Sequence, residues 1–307
     1  MKGMSYVGFT VFCLLGVMSG FPVSSYAEGS SPKIYLSSQL STKKAVVGEM
    51  VAYDVVLHSS SPDIAGVMAV TEPSFDGLVS YPLAPDNRIS QSPDGDGGEY
   101  TAVVARYFLS PVREGKYNVK APSFVVGVAL GGIGVDPVWG DIIPADVKEY
   151  QLTAPDLSLK VSALPHKKVP DGFSGAVGEF EIAVELPKGN IVNDEDAVVL
   201  FTICGRGNLE KAQLPEIHSL FDSKLRFKSE TPVYNHFIKD GELWSEIEIE
   251  CVFCPSSTGR FRIQPATFCF FNNATSRYEC VTSAPLDVDV GDASREAEPS
   301  APQYEEI

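Results

Sequence analysis

Cysteines are the residues whose type and spacing could most readily support chemistry in this chain. The sequence holds six of them: Cys13, Cys204, Cys251, Cys254, Cys269 and Cys280. A redox-active Cys-x-x-Cys pair needs to lie at the start of a helix, where backbone N–H groups stabilise the thiolate. Cys251 and Cys254 instead end an alternating, strand-like segment and meet Pro255. No second pair of this kind completes a zinc site, so structural thiols are the favoured interpretation.

Cys269 and Cys280 are the best candidates for a disulfide. Two short apolar segments, residues 267–271 and 278–282, flank a turn. If Phe271 faces Tyr278 across a hairpin, Cys269 lies directly opposite Cys280, and Cβ atoms so placed are ~4.5–5.5 Å apart, close to disulfide range. The alternative is two unbonded thiols on one face of the hairpin, and a one-residue slip in register would separate them.

Acidic and glycine-rich segments are the remaining candidates for a reactive site. Asp94, Asp96 and Glu99 could hold a cation, although a solvated loop is the favoured interpretation. Residues 131–134 (Gly-Gly-Ile-Gly) lack the Lys-Ser/Thr that completes a phosphate-binding loop. No segment assembles a nucleophile, a base and an oxyanion site, so we predict no enzyme, no metal site and no cofactor.

The charge balance disfavours two classes of partner. The 307 residues include 24 Lys and Arg against 40 Asp and Glu, a net charge of −16. A chain this acidic is poorly suited to neutralising the phosphates of nucleic acid or to gripping anionic lipid. The hydrophobic content of 44% allows a sizeable core, and the length suggests about two domains.

The first 27 residues have the pattern of a secretory signal peptide. Lys2 precedes an apolar run over residues 6–18, and residues 25–27 (Ser-Tyr-Ala) place small side chains at the cleavage positions. An uncleaved anchor is the alternative, but the run is short for a span of ~20 residues. We therefore expect an exported chain, periplasmic or associated with the envelope, without a transmembrane segment after the leader. Disulfides can form in that compartment.

The rest of the sequence predicts β-strands almost throughout. Apolar residues alternate with glutamates at residues 246–251, and Ile247, Ile249, Cys251 and Phe253 fall on one face. This is the period-two pattern of a strand with one solvent-exposed face. Clusters of Gly, Asn, Asp and Pro separate many short segments of this kind. Frequent turns between short strands favour a β-sandwich over a parallel α/β sheet.

The chain also repeats itself at a shift of 144 residues. Residues 111–117 (Pro-Val-Arg-Glu-Gly-Lys-Tyr) match residues 255–261 (Pro-Ser-Ser-Thr-Gly-Arg-Phe). We expect Gly115 and Gly259 to be equivalent turn glycines with positive φ. The repeat predicts an all-β fold with two tandem immunoglobulin-like β-sandwich domains.

These features divide the chain into five segments. We predict a signal peptide over 1–27, a first β-sandwich domain over 28–163, a linker over 164–173, a second β-sandwich domain over 174–290 and a disordered acidic tail over 291–307. Within the first domain, residues 127–150 form either an extended hairpin or an exposed loop. A turn of helix is possible within residues 210–225, where Pro215 interrupts the pattern.

Four short motifs carry a family resemblance. They are residues 172–184 (Gly-Phe-Ser-Gly-Ala-Val-Gly-Glu-Phe-Glu-Ile-Ala-Val), 204–209 (Cys-Gly-Arg-Gly-Asn-Leu), 268–271 (Phe-Cys-Phe-Phe) and 47–49 (Val-Gly-Glu). Over about residues 33–290 the chain resembles the BatD-type oxygen-tolerance (aerotolerance) family of bacterial envelope proteins. The resemblance implies tandem β-sandwiches and association with von Willebrand A domain membrane proteins and a MoxR-type AAA+ ATPase, and it implies no catalytic residue. Such proteins usually continue into a C-terminal transmembrane helix, and this sequence departs from them there.

Two functions from different classes follow from these observations. The first is a non-catalytic, exported protein-interaction module of the bacterial envelope, for which the resemblance implies a role in stress or oxygen tolerance. A von Willebrand A domain can present a metal ion that accepts a carboxylate, so an acidic loop is a candidate contact. The alternative is a carbohydrate-binding sandwich of the periplasm, with Trp139, Tyr100 and Tyr150 as candidates for an aromatic platform.

Overall fold

The computed structural model describes residues 32–83, 90–91, 99–135, 142–187 and 189–292. These residues divide into two compact units: residues up to 163 other than 48–50 form the first, and residues 48–50 and those from 164 onward form the second. The predicted signal peptide, Asp94, Asp96, Trp139 and tail residues 293–307 lie outside the described residues. Most of the described chain is β-strand, which confirms the all-β fold class.

The first unit is a sandwich of short sheets, in which most strand pairs are antiparallel. Its described strands are β1 (Ile34–Leu40), β2 (Lys44–Val46), β3 (Val51–Ser59), β4 (Ile64–Thr71), β5 (Leu78–Leu83), β6 (Ser90–Gln91), β7 (Tyr100–Pro111), β8 (Gly115–Val119), β9 (Ser123–Val135), β10 (Ile142–Thr153) and β11 (Leu157–Ser162). They form sheets in the orders β1-β3-β7-β5, β10-β9-β4 and β2-β11-β8, with β6 beside β7. The segment 127–150 thus contributes two long paired strands. Tyr53, Val55, Leu109 and Val126 are fully buried between the sheets.

The second unit is also a β-sandwich, built from one six-stranded and one three-stranded sheet. Its described strands are β12 (Phe173–Glu185), β13 (Ile191–Val192), β14 (Ala197–Asn208), β15 (Leu225–Lys239), β16 (Glu242–Pro255), β17 (Gly259–Ile263), β18 (Thr267–Asn272), β19 (Arg277–Thr282) and β20 (Leu286–Gly291). They form sheets in the orders β15-β16-β14-β12-β18-β19 and β13-β20-β17. A single 3-10 turn, Ile217–Leu220, lies in the segment where a turn of helix was possible. No helix among the described residues is long and apolar enough to cross a membrane.

Part of the strand order recurs in the two units. The order β1-β3-β7-β5 in the first corresponds to β12-β14-β16-β15 in the second, and β2-β11-β8 corresponds to β13-β20-β17. The sheets β2-β11-β8 and β13-β20-β17 each contain one parallel pair, β2 with β11 and β13 with β20. Gly115 begins β8 with φ 151°, and Gly259 begins β17 with φ 131°. Both glycines therefore lie at equivalent strand starts, with backbone angles that L side chains rarely adopt.

Burial of one face of β16 fixes its place in the sheet. Ile247, Ile249, Cys251 and Phe253 are at most 1% exposed in the core of the second unit. The glutamates between them lie on the opposite face, where they are half-buried or exposed. A slip of one residue would exchange the two sets, so the pairing register is strongly specified.

Close packing of β12 against β14 depends on glycines. Gly178 pairs with Gly207, and Phe180 pairs with Gly205. A Cβ added to Gly178, where φ is 151°, would lie 2.0 Å from the backbone oxygen of Arg206, and the Phe180 ring occupies the remaining space. The glycines of the 204–209 motif thus serve backbone packing.

We predict that Gly178→Ala lowers the free energy of unfolding by roughly 2–5 kcal/mol, because strain at positive φ adds to overpacking against backbone. Urea denaturation of the purified protein measures this change. The matched control is Gly189→Ala, where an added Cβ meets nothing within 4 Å and φ is not positive. We expect that control to change stability by less than about 1 kcal/mol, and equal losses in the two variants would contradict the packing role.

Candidate functional site

Cys269 and Cys280 form a disulfide across the β18–β19 hairpin. The two cysteines lie directly opposite each other, and Phe271 lies opposite Tyr278. This is the register on which the sequence prediction depended, and the predicted pairing is confirmed. The bond closes a loop of 11 residues, and it joins the edge strand β19 to its neighbour.

The other three described cysteines are free thiols. Cys251 is fully buried in the core, and burial raises the pKa of its thiol to about 12. Cys254 is buried beside Arg226, whose Nη2 lies 3.4 Å from its Sγ. Cys204 is half-buried, and burial followed by the neighbouring Glu246 raises the pKa of its thiol. Because the thiolate is the reactive form, a thiol with a raised pKa is a poor nucleophile at neutral pH, which favours a structural role for Cys251 and Cys204.

A buried ion pair lies beside a small cavity in the first unit. Arg106 donates to both carboxylate oxygens of the buried Asp54, at 2.6 and 2.7 Å. Arg106, Tyr107 and Glu72 line a cavity of about 110 Å³. Burial, then the charge of Glu72, raises the pKa of Tyr107 to about 12. The cavity is well below the several hundred Å³ of a typical ligand pocket, so we assign the pair to anchoring β3 against β7.

The described chain includes only some of the residues proposed for metal or carbohydrate binding, since Asp94 and Asp96 lie outside it. Within the described ranges, no group of three or more His, Cys, Asp or Glu side chains could hold a metal ion. Tyr100 lies on β7 and Tyr150 on β10, in two different sheets, and both are half-buried. Trp139 lies outside the described residues. Tyr100 and Tyr150 therefore do not form a common platform.

Strand β15 leaves one edge of the six-stranded sheet unpaired by any described strand. It pairs with β16 on one side, and every residue from Lys228 to Lys239 is exposed. Exposed apolar side chains lie on both faces of this strand, since they occupy odd and even positions: Val233 (49% exposed) and Phe237 (38%), with Tyr234 (44%) and Ile238 (42%). A strand with a free edge and apolar side chains on both faces can accept a further strand.

The β15–β16 ribbon ends in a tight two-residue turn. Asp240 and Gly241 both have positive φ, 54° and 76°, as a two-residue hairpin turn of type I′ requires. Phe237 stacks across the ribbon on Trp244, with ring centroids 6.3 Å apart, and Lys239 Nζ lies 4.3 Å from the Trp244 ring centroid. These cross-strand contacts stabilise the ribbon, and Asp240 is exposed at its tip.

We define the β15 surface as Val233, Tyr234, Phe237 and Ile238 together with Asp240. Sequence reasoning missed this surface because the segment has no single apolar face. The signal that could have found it is the occurrence of apolar pairs at consecutive positions, 233–234 and 237–238, in a strand with polar neighbours.

Comparisons with known proteins give distant likenesses. No family model matches the chain, and no curated protein matches it. Among solved structures, it is similar to the C-terminal domain of the AgI/II polypeptide BspA of Streptococcus agalactiae, with 9% identity, a TM-score of 0.21 and coverage of 83% of this chain and 99% of that one. The type II cohesin dyad of the ScaA scaffoldin of Acetivibrio cellulolyticus has 11% identity, a TM-score of 0.20 and coverage of 74% and 86%. BcpA, the major pilin subunit of Bacillus cereus, has 10% identity, a TM-score of 0.18 and coverage of 85% and 67%.

We predict that iodoacetamide labelling, followed by mass spectrometry, divides the cysteines into three classes by the condition under which each is labelled. Cys204 is labelled in the native state, increasingly so as the pH rises past the ordinary thiol pKa, because its own pKa is raised. Cys251 and Cys254 are labelled after unfolding, because both are buried. Cys269 and Cys280 are labelled only after their disulfide is reduced. Alkylation of either one without reductant would contradict the disulfide.

Proposed function

We propose that the protein is an exported, non-catalytic protein-interaction module of the bacterial envelope, and that the β15 surface is its docking site. The observation that carries the proposal is one strand that presents both an edge with which no described strand pairs and apolar side chains on its two faces. Docking would remove these side chains from water, which is favourable by about 25 cal/mol for each Å² of apolar surface buried. Exposed apolar side chains along a sheet edge are typical of sites that accept a further strand.

An extended segment of the partner suits this surface best. Its main chain would hydrogen-bond to this edge of β15, which gives affinity. Its alternating side chains would contact Val233 and Phe237 on one face and Tyr234 and Ile238 on the other, which gives specificity. Pro232 lies in the same strand and has no N–H to donate, a feature that discourages pairing between two copies of an edge strand.

We propose a von Willebrand A domain membrane protein as that partner, in a system that includes a MoxR-type ATPase and serves stress or oxygen tolerance. The support is the resemblance to BatD-type proteins together with the exposed carboxylate of Asp240 at the ribbon tip. A metal ion held by the partner's domain could accept this carboxylate while β15 receives a strand. One interface would then combine main-chain, apolar and metal-borne contacts.

We predict that Val233→Lys weakens binding to a purified von Willebrand A domain protein of the same envelope system by at least about tenfold, since it places a charge in the apolar contact. The measurement is surface plasmon resonance with the full chain immobilised. The matched control is Val112→Lys in the first unit, where Val112 is 45% exposed. We expect that control to bind like the unmodified protein.

The same measurement also tests the proposed contact between the Asp240 carboxylate and the partner's metal ion. Asp240→Asn keeps a residue that tolerates positive φ in the turn and removes the charge. It should lower affinity in the presence of Mg²⁺ and abolish the effect of a chelator on binding. Equal losses in the Val233 and Val112 variants, or no binding with and without chelator, would overturn the proposed docking site.

A further inference from the structure

Three lysines stand in a row across the sheet β2-β11-β8 of the first unit. Lys160 on β11 lies directly opposite Lys44 on β2 and directly opposite Lys116 on β8. Lys43 precedes Lys44, and all four side chains are exposed. Neighbouring strands are about 4.8 Å apart, so the bases of the three side chains span roughly 10 Å. We call Lys44, Lys160 and Lys116 the lysine row.

The lysine row is not neutralised by the rest of the described chain. It lines an open groove of about 720 Å³, which Lys43 and Glu114 also line. None of the three ammonium groups forms an ion pair or side-chain hydrogen bond with a described residue. Like charges directly opposite each other destabilise a sheet. The row therefore opposes folding unless an anion binds to it.

In the second unit, the equivalent strands carry side chains of opposite charge. Arg260 on β17 corresponds to Lys116 at the repeat shift, and it lies opposite Asp289, as Lys116 lies opposite Lys160. Arg260 forms ion pairs with Asp287 at 2.9 Å and with Asp289 at 3.7 Å. The sheet β13-β20-β17 carries oppositely charged pairs at these positions. This strand order therefore does not require the three adjacent lysines of β2-β11-β8.

We propose that the lysine row binds a linear polymer that carries phosphate groups. An ammonium group is a compact point charge that suits phosphate oxygens. A row about 10 Å long is matched by successive charges along a chain, whereas one small anion would contact only part of it. Carboxylates on one face of an extended acidic peptide recur about every 6.6 Å, a wider spacing than that of neighbouring strands.

Other polyanions fit the groove less well. None of its lining residues is aromatic, so it offers no stacking platform for bases and no aromatic anchor for a bilayer. The net charge of −16 opposes binding of polyanions in general. At physiological ionic strength, however, exposed charges beyond about 8 Å are largely screened, so the row can act locally. This proposal is independent of docking at β15.

The test is binding of inorganic polyphosphate to the full chain, measured by isothermal titration calorimetry. Lys160→Asp gives the first unit the opposite-charge pairing found in the second, and we expect it to weaken binding by at least about tenfold. Its melting temperature without polymer should equal or exceed that of the unmodified protein, because repulsion is removed. Lys211→Asp, which makes the same charge change at an exposed position of the second unit, should bind within about twofold of the unmodified protein.

A second variant keeps the test informative if Lys160→Asp fails to fold. Lys116→Gln removes one cation without adding an anion, and we expect an intermediate loss of affinity and a binding constant that falls less steeply with salt. Equal binding by the unmodified protein and Lys160→Asp would overturn the proposal. So would equal affinity for polyglutamate, or binding to phosphatidylglycerol vesicles without binding to polyphosphate, since these results would assign the row to acidic peptides or to a membrane surface.

Discussion

Burial of one face of each central strand fixes the register on which the rest of this structure depends. Because side chains alternate with a period of two, a slip of one residue would expose the core, and the pairing is therefore unique. The same register decides which surface side chains meet. It places Cys269 opposite Cys280, Phe237 opposite Trp244, and Lys160 between two further lysines. The disulfide, the ribbon contact and the lysine row are thus consequences of how the cores pack.

Two units that share part of one strand order carry different surfaces. The inner positions of both are apolar, and equivalent glycines begin β8 and β17. The outer positions differ, with lysines that form no ion pair with a described residue on one small sheet and arginine–aspartate pairs on the other. Since inner and outer residues alternate along a strand, the outer ones can change while the core is kept. A repeated fold can in this way present a different surface on each unit.

Features within one hairpin or one strand could be predicted from the sequence, whereas features that join distant strands could not. The disulfide depends on a short turn between two adjacent segments, and the alternation of β16 is visible in its own residues. The lysine row combines Lys44, Lys116 and Lys160, which come together through one parallel and one antiparallel pairing. The β15 surface has no apolar face of its own, and its exposure depends on its place at the edge of a sheet. Local pattern does not determine sheet order, which is why both surfaces emerged from the structure alone.

Site-specific photocrosslinking in cells that export the protein tests docking at β15 most directly. A photoreactive amino acid is placed at Val233 on β15 or, as a control, at Val112, an exposed position of the first unit. The account predicts that irradiation links position 233 to an envelope protein with a von Willebrand A domain, identified by mass spectrometry, and leaves position 112 without that adduct. Cells that make both proteins but yield the adduct from position 112, or from neither position, would contradict it.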